Sequence, residues 1–103
     1  MTYCSESLVD EATPAVTLLK AMANERRLCI LKNLQQGELS VGELNDRLNL
    51  SQSALSQHLA WLRRDGLVRT RKEAQTVFYS LQSDEAERVI ELLDRLFSTN
   101  VSA

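Results

Sequence analysis

Residues 50–66 run Leu50-Ser51-Gln52-Ser53-Ala54-Leu55-Ser56-Gln57-His58-Leu59-Ala60-Trp61-Leu62-Arg63-Arg64-Asp65-Gly66, and this stretch decides the fold. Ser51 is a good helix N-cap, and Gly66 suits the left-handed residue that closes a helix. Between them Leu55, Leu59 and Leu62 recur at i, i+4 and i+7, which places them on one apolar face. Gln52, Ser53, Ser56 and Gln57 fall on the free face. Solvated helix faces usually carry Lys and Glu, and this half-helix carries neither. Glutamine bonds bidentately to adenine, and serine is short enough to allow close approach to base edges.

The segments upstream are also helical. Ser40 with Glu43 three residues later forms a capping box for a short helix that buries Val41, Leu44 and Leu48. Asn49-Leu50-Ser51 is then a tight connection. Asn24 caps an earlier helix whose stripe is Leu28, Ile30, Leu31 and Leu34, ending at Gly37. Pro14, with Thr13 as cap, predicts the start of the first helix, which carries Ala15, Val16, Leu18, Leu19 and Met22. Residues 1–12 are polar and unpatterned and are expected to form a flexible arm.

After Gly66 the period changes. Leu67–Lys72 and Thr76–Leu81 are rich in β-branched and aromatic residues and flank Glu73-Ala74-Gln75, which predicts a hairpin. Ser83 or Asp84 caps a last helix with Ala86, Val89, Ile90, Leu93, Leu96 and Phe97 on one face. The expected fold is mainly α with a small β-hairpin: four helices, two strands and a fifth helix. That order is the plan of a winged helix-turn-helix, in which the second helix of the pair enters the DNA major groove. One domain over 13–100 and a short tail at 101–103 complete the expected organisation.

The chain has 103 residues, 44% hydrophobic and 25% charged, which fits a single domain able to bury its own core. Its net charge of −2 conceals a local excess, because residues 51–72 balance at +4 inside an acidic protein. Arg63, Arg64, Arg69, Arg71 and Lys72 supply that footprint. Ser51, His58, Arg63, Arg69, Arg71, Lys72, Gln75 and Thr76 are therefore the candidate contacts to DNA backbone and groove walls. His58 fits a phosphate contact and a helix–helix hydrogen bond equally, and Trp61 fits either base stacking or packing. There is neither a basic flank with an apolar run at the start nor an apolar stretch of membrane-spanning length. The expected location is cytoplasmic, nucleoid-associated, with no membrane partner and both cysteines as thiols.

The runs Ala21-Met22-Ala23-Asn24-Glu25-Arg26-Arg27-Leu28, Leu39-Ser40-Val41-Gly42-Glu43-Leu44 and Leu50–Leu59, with Arg64-Asp65-Gly66-Leu67-Val68, strongly resemble the ArsR/SmtB family of transcriptional regulators. Ala60–Val68 and Thr70–Val77 look most like its HlyU-type virulence regulators, with NolR-like proteins nearby. The resemblance covers about residues 15–97. It implies a bacterial homodimer that binds palindromic promoter DNA, either to repress or to relieve silencing by displacing a nucleoid protein. The family pairs through its first and last helices, which here points to Val16, Leu19, Val89, Ile90, Leu93, Leu96 and Phe97.

The chain departs from the family at its sensor sites. Where metal-sensing members place paired cysteines, this sequence has Ser40-Val41-Gly42, and Asp84 on the last helix has no His two residues on. Neither a metal nor any other cofactor is expected. The positions at which sulfide- and oxidant-responsive relatives carry two cysteines correspond to Lys32 and Ser98. Cys29 lies opposite the Leu28, Leu31, Leu34 stripe, either as a packing or interface residue or as a relocated redox thiol. The second option is a redox- or sulfur-responsive repressor. No Cys-His, Ser-His-Asp or paired-carboxylate constellation supports an enzyme.

Overall fold

The computed structural model describes residues 6–97. Its elements are α1 (Glu6–Met22), α2 (Glu25–Gln35), β1 (Leu39–Ser40), α3 (Val41–Leu48), α4 (Gln52–Arg64), β2 (Val68–Glu73), β3 (Thr76–Leu81) and α5 (Asp84–Phe97). The strands form one antiparallel sheet in the order β1-β3-β2.

Local chemistry sets most boundaries. Asn24 accepts hydrogen bonds from the Arg26 and Arg27 amides at 2.9 and 3.0 Å and so starts α2. Ser40 and Glu43 form the reciprocal box expected at the start of α3. Ser51 Oγ accepts from the Ala54 amide at 3.1 Å, and Ser83 Oγ from Ala86 at 3.0 Å. Between α3 and α4, Asn49 takes φ 53°, a left-handed conformation that asparagine tolerates better than most residues. This residue ends α3 and leads directly to the Ser51 cap of α4.

Three expectations need correction. The first helix does not begin at Pro14: α1 already runs from Glu6, so residues 6–12 are helical rather than a flexible arm. Proline inside a helix removes one hydrogen bond, and the helix formers Leu8, Glu11 and Ala12 before it carry the helix through. The hairpin turn has two residues, Ala74 and Gln75, because Glu73 pairs with Thr76. Finally, β1 adds a third strand, with Leu39 opposite Tyr79 and Ser40 opposite Phe78. Two residues carry no period, so this strand has no periodic trace in the sequence. Residues 1–5 of the expected arm, 98–100 of the expected domain and the tail 101–103 lie outside the described residues.

The core is built where α2, α3, α4 and α5 meet the sheet. Ile30, Leu31, Leu44, Leu55, Leu62 and Ile90 are fully buried. Each such side chain is stabilised by roughly 1.5–3 kcal/mol relative to exposure. Leu67 closes the base of the hairpin: its amide donates to the Leu62 carbonyl at 2.9 Å, and its carbonyl accepts from Gln82 at 2.9 Å and Ser83 at 3.3 Å.

Candidate nucleic-acid interface

The α4 helix has three faces with separate tasks. Leu55, Leu59 and Leu62 are buried in the core. Gln52, Ser53, Ser56 and Gln57 are all exposed on the opposite side, as the spacing predicts, and continue into exposed Ala60 and Arg63. The helix contains no carboxylate. Its capped N-terminus therefore presents polar side chains and positive dipole to solvent, a surface matched to an anionic ligand.

The third face turns toward the start of α2. It carries Ala54 and His58, neither fully exposed, with exposed Trp61 and the C-cap Asp65 in the same row. His58 belongs here. Its half-burial, with Arg27 and then Arg26 nearby, lowers its pKa from 6.5, so it favours the neutral form. Half-buried, His58 offers the expected backbone contact less surface than its exposed neighbours Ser56 and Gln57. Trp61 packs, with the Arg27 guanidinium 3.7 Å from its ring centroid and Arg64 at 5.2 Å on a looser contact.

The wing divides by strand alternation. Val68, Thr70 and Lys72 share the core-side face of β2, while Arg69, Arg71 and Glu73 share the other. On the core side a cleft of ≈ 440 Å³ opens between α4 and the sheet, lined by Ser56, Ala60, Arg63, Arg64 and Tyr79. Sequence reasoning missed Tyr79, whose place beside α4 depends on sheet register. Gln75 and Thr76 sit exposed at the hairpin tip.

The wing cations are not equivalent. Arg71 is held on three sides: Nε and Nη2 donate to the two Glu38 carboxylate oxygens at 3.0 and 2.8 Å, and Nη1 donates to Glu73 at 3.0 Å. Those hydrogen bonds raise its pKa, while the bond from Arg71 lowers that of Glu38. Its guanidinium also lies 4.6 Å from the Phe78 ring centroid. Arg69 donates to Ser80 Oγ at 3.3 Å. Among the described residues Arg63 and Lys72 have no carboxylate partner.

A second, apolar surface lies elsewhere. Val16 and Leu19 on α1, and Leu96 and Phe97 on α5, are exposed, and so is Leu92, which the sequence reading did not include. Ile90 is fully buried inside the protomer and is removed from that surface. Leu93 is half-buried beside it, and Val89 packs partly on the core. The predicted stripe thus divides: Ala86 and Ile90 are buried and Val89 packs partly on the core, Leu93 is half-buried in a groove beside Ile90, and Leu96 and Phe97 are exposed. Cys29 is exposed on α2, and Cys4 lies outside the described residues. Lys32 pairs with Asp94 at 3.2 Å, and Ser98 is outside the described residues. Among the described residues no three His, Cys, Asp or Glu side chains gather as metal ligands, and no helix is long and apolar enough to cross a membrane.

This geometry has known counterparts. Residues 24–70 match the model of the arsR family of bacterial regulatory proteins. The chain is 68% identical over 92 residues to the transcriptional activator HlyU of Vibrio cholerae, spanning 89% of this chain and 85% of that protein. The chain belongs to the ArsR family. It is a HlyU-like, DNA-binding transcriptional regulator with a winged helix-turn-helix, not an enzyme. The structure of reduced V. cholerae HlyU superposes with a TM-score of 0.85 at 68% identity, covering 90% of this chain and 98% of that one. NolR from Sinorhizobium fredii superposes at 0.86 with 44% identity, covering 94% and 97%. The homodimeric winged helix-turn-helix domain of Mb0332 from Mycobacterium bovis gives 0.78 at 26% identity over the whole of both chains.

Proposed function

We propose that two copies of this ArsR-family chain pair through α1 and α5 and bind palindromic promoter DNA, one α4 N-terminus in each of two successive major grooves. The observation that carries this reading is the exposed, carboxylate-free face of Gln52, Ser53, Ser56 and Gln57, beside the unpaired cations Arg63 and Lys72. The side chains on α4 read base edges; Ser51, Arg63, Arg69, Lys72, Gln75 and Thr76 contact backbone. Pairing is supported by the exposed ridge of Val16, Leu19, Leu92, Leu96 and Phe97 and by the homodimeric state of the M. bovis domain. A twofold dimer sets its reading helices ~34 Å apart, matching half-sites one turn of DNA apart.

Regulation follows from occupancy. Bound to a promoter in the cytoplasm, the dimer displaces a nucleoid silencing protein or excludes other factors, and the name of its V. cholerae relative favours activation. No cofactor is needed for this reading. The exposure of Cys29 supports a second, redox- or sulfur-responsive reading, in which one thiol acts without a resolving partner in the core.

The test is binding to a palindrome selected from random duplexes, to its scrambled counterpart and to a single half-site, across a salt series. Tight, salt-dependent preference for the palindrome, with Leu96→Glu reducing the protein to monomers by sedimentation, is expected. Salt-independent binding, or equal binding to scrambled DNA, overturns the reading. Peroxide and polysulfide treatment of the same complex separates the Cys29 reading: unchanged affinity removes it.

A further inference from the structure

One side chain joins three helices. Arg27 is 5% exposed, the only buried charged residue among the described residues. Its Nε donates to the Ala21 carbonyl at 2.7 Å and its Nη2 to the Lys20 carbonyl at 3.1 Å. Both carbonyls lie in the last turn of α1, where intrahelical donors run out, and a cation there also complements the helix dipole. The guanidinium stacks 3.7 Å from the Trp61 ring centroid on α4. Burial lowers the Arg27 pKa, and nearby Asp65 opposes that shift.

We infer that Arg27 and Trp61 are positioning residues that set the angle between α1 and the DNA-reading helix, and so the half-site spacing that the paired protein accepts. This rests on the proposed pairing through α1 and α5. A planar group that is forked on one edge and stacked on one face has one favourable orientation, whereas aliphatic contacts slide. The lever is long enough to matter. A helix the length of α4 spans ~20 Å, so a tilt of ~10° at the joint moves its far end by ~3 Å, about one base-pair step. An ammonium in place of the guanidinium cannot hold both carbonyls and the ring together.

The experiment compares wild type, Trp61→Leu and Arg27→Lys on the selected palindrome, on versions with two base pairs inserted or removed at the centre, and on a single half-site. Trp61→Leu keeps both carbonyl hydrogen bonds, so it decides the matter if Arg27→Lys does not fold. Leu31→Ala, another buried change on α2, controls for lost stability. Wild type should discriminate between spacings, and Trp61→Leu should shrink that ratio at least about threefold with half-site affinity unchanged. Leu31→Ala should leave the ratio alone. An unchanged ratio in Trp61→Leu, or an equal change in Leu31→Ala, overturns the inference while leaving the proposed function in place. A wild-type protein indifferent to spacing overturns both.

Discussion

The reading helix and the wing flank the same cleft but are held by different physics. α4 is fixed by three buried leucines, which solvent and salt do not reach, and by the stack of buried Arg27 on the partly exposed Trp61 ring. The wing is seated at its base by buried Val68 and by Tyr79 and Leu81 against the core, and toward its tip it is tied only by ladder hydrogen bonds and by Arg71 between Glu38 and Glu73 at the surface. Burial gives α4 one position. Surface ion pairs are screened and weak, so the wing can adjust to the backbone it meets.

Breaking α4 should therefore have the largest effect. Leu62→Ala should lower stability by ~2–5 kcal/mol in urea unfolding, because a fully buried side chain leaves a cavity. A loss under 1 kcal/mol would mean that α4 is no better anchored than the wing. On the reading face, Gln57→Ala should cost ~1–3 kcal/mol on the selected palindrome and relax preference at one base pair. Non-specific affinity should stay as it was.

Wing variants sharpen the comparison at smaller scale. Ala74 sits at φ 58° in the two-residue turn, a conformation that costs a β-carbon about 1–2 kcal/mol. Ala74→Gly should raise thermal stability slightly, by ~1 kcal/mol at most, with the hairpin register unchanged by NMR. Lys72→Ala should flatten the salt slope of DNA binding by about one unit across all sequences. Arg71→Ala should flatten it less, since two carboxylates already hold that cation. The reverse order would make Arg71, beside Arg69 on the outer face, a stronger phosphate contact than Lys72 despite its two carboxylate partners.

The smallest effect is a pH dependence. His58 has a folded pKa below 6.5, so the unfolded chain binds the proton more readily. Its contribution to stability is complete above about pH 6.5, declines as pH falls through the window down to the folded value, and is constant below it. His58→Gln should flatten that part of a stability–pH curve recorded by thermal melts.

These regions also differ in how far they are legible in sequence. The caps at Asn24, Ser40 and Ser51 and the leucine spacing of α4 are local signals, and each element they predict is present. Contacts between distant residues are not local. Arg27 and Trp61 lie on different helices, and Glu38 reaches Arg71 across 33 positions, so neither partnership has a periodic trace. On α5 the period shows an apolar helix but not which apolar residues face inward, so Ile90, expected at the pairing surface, lies inside the protomer instead. Pro14 misleads because its preference for a first turn is statistical, whereas the residues before it favour helix.

The closure at Leu67 bears on how such a protein can diversify. One residue bonds to the end of α4 on one side and to the approach to α5 on the other, so everything from Val68 to Leu81 leaves and returns at a single point. Beyond the residues that pair with β1 or enter the core, the hairpin projects from a frame that is already closed beneath it. Its tip can lengthen, shorten or change sequence without refitting the helices that read bases or those proposed to pair. Preference for DNA flanking the half-sites is then free to drift among descendants while the half-site itself stays the same.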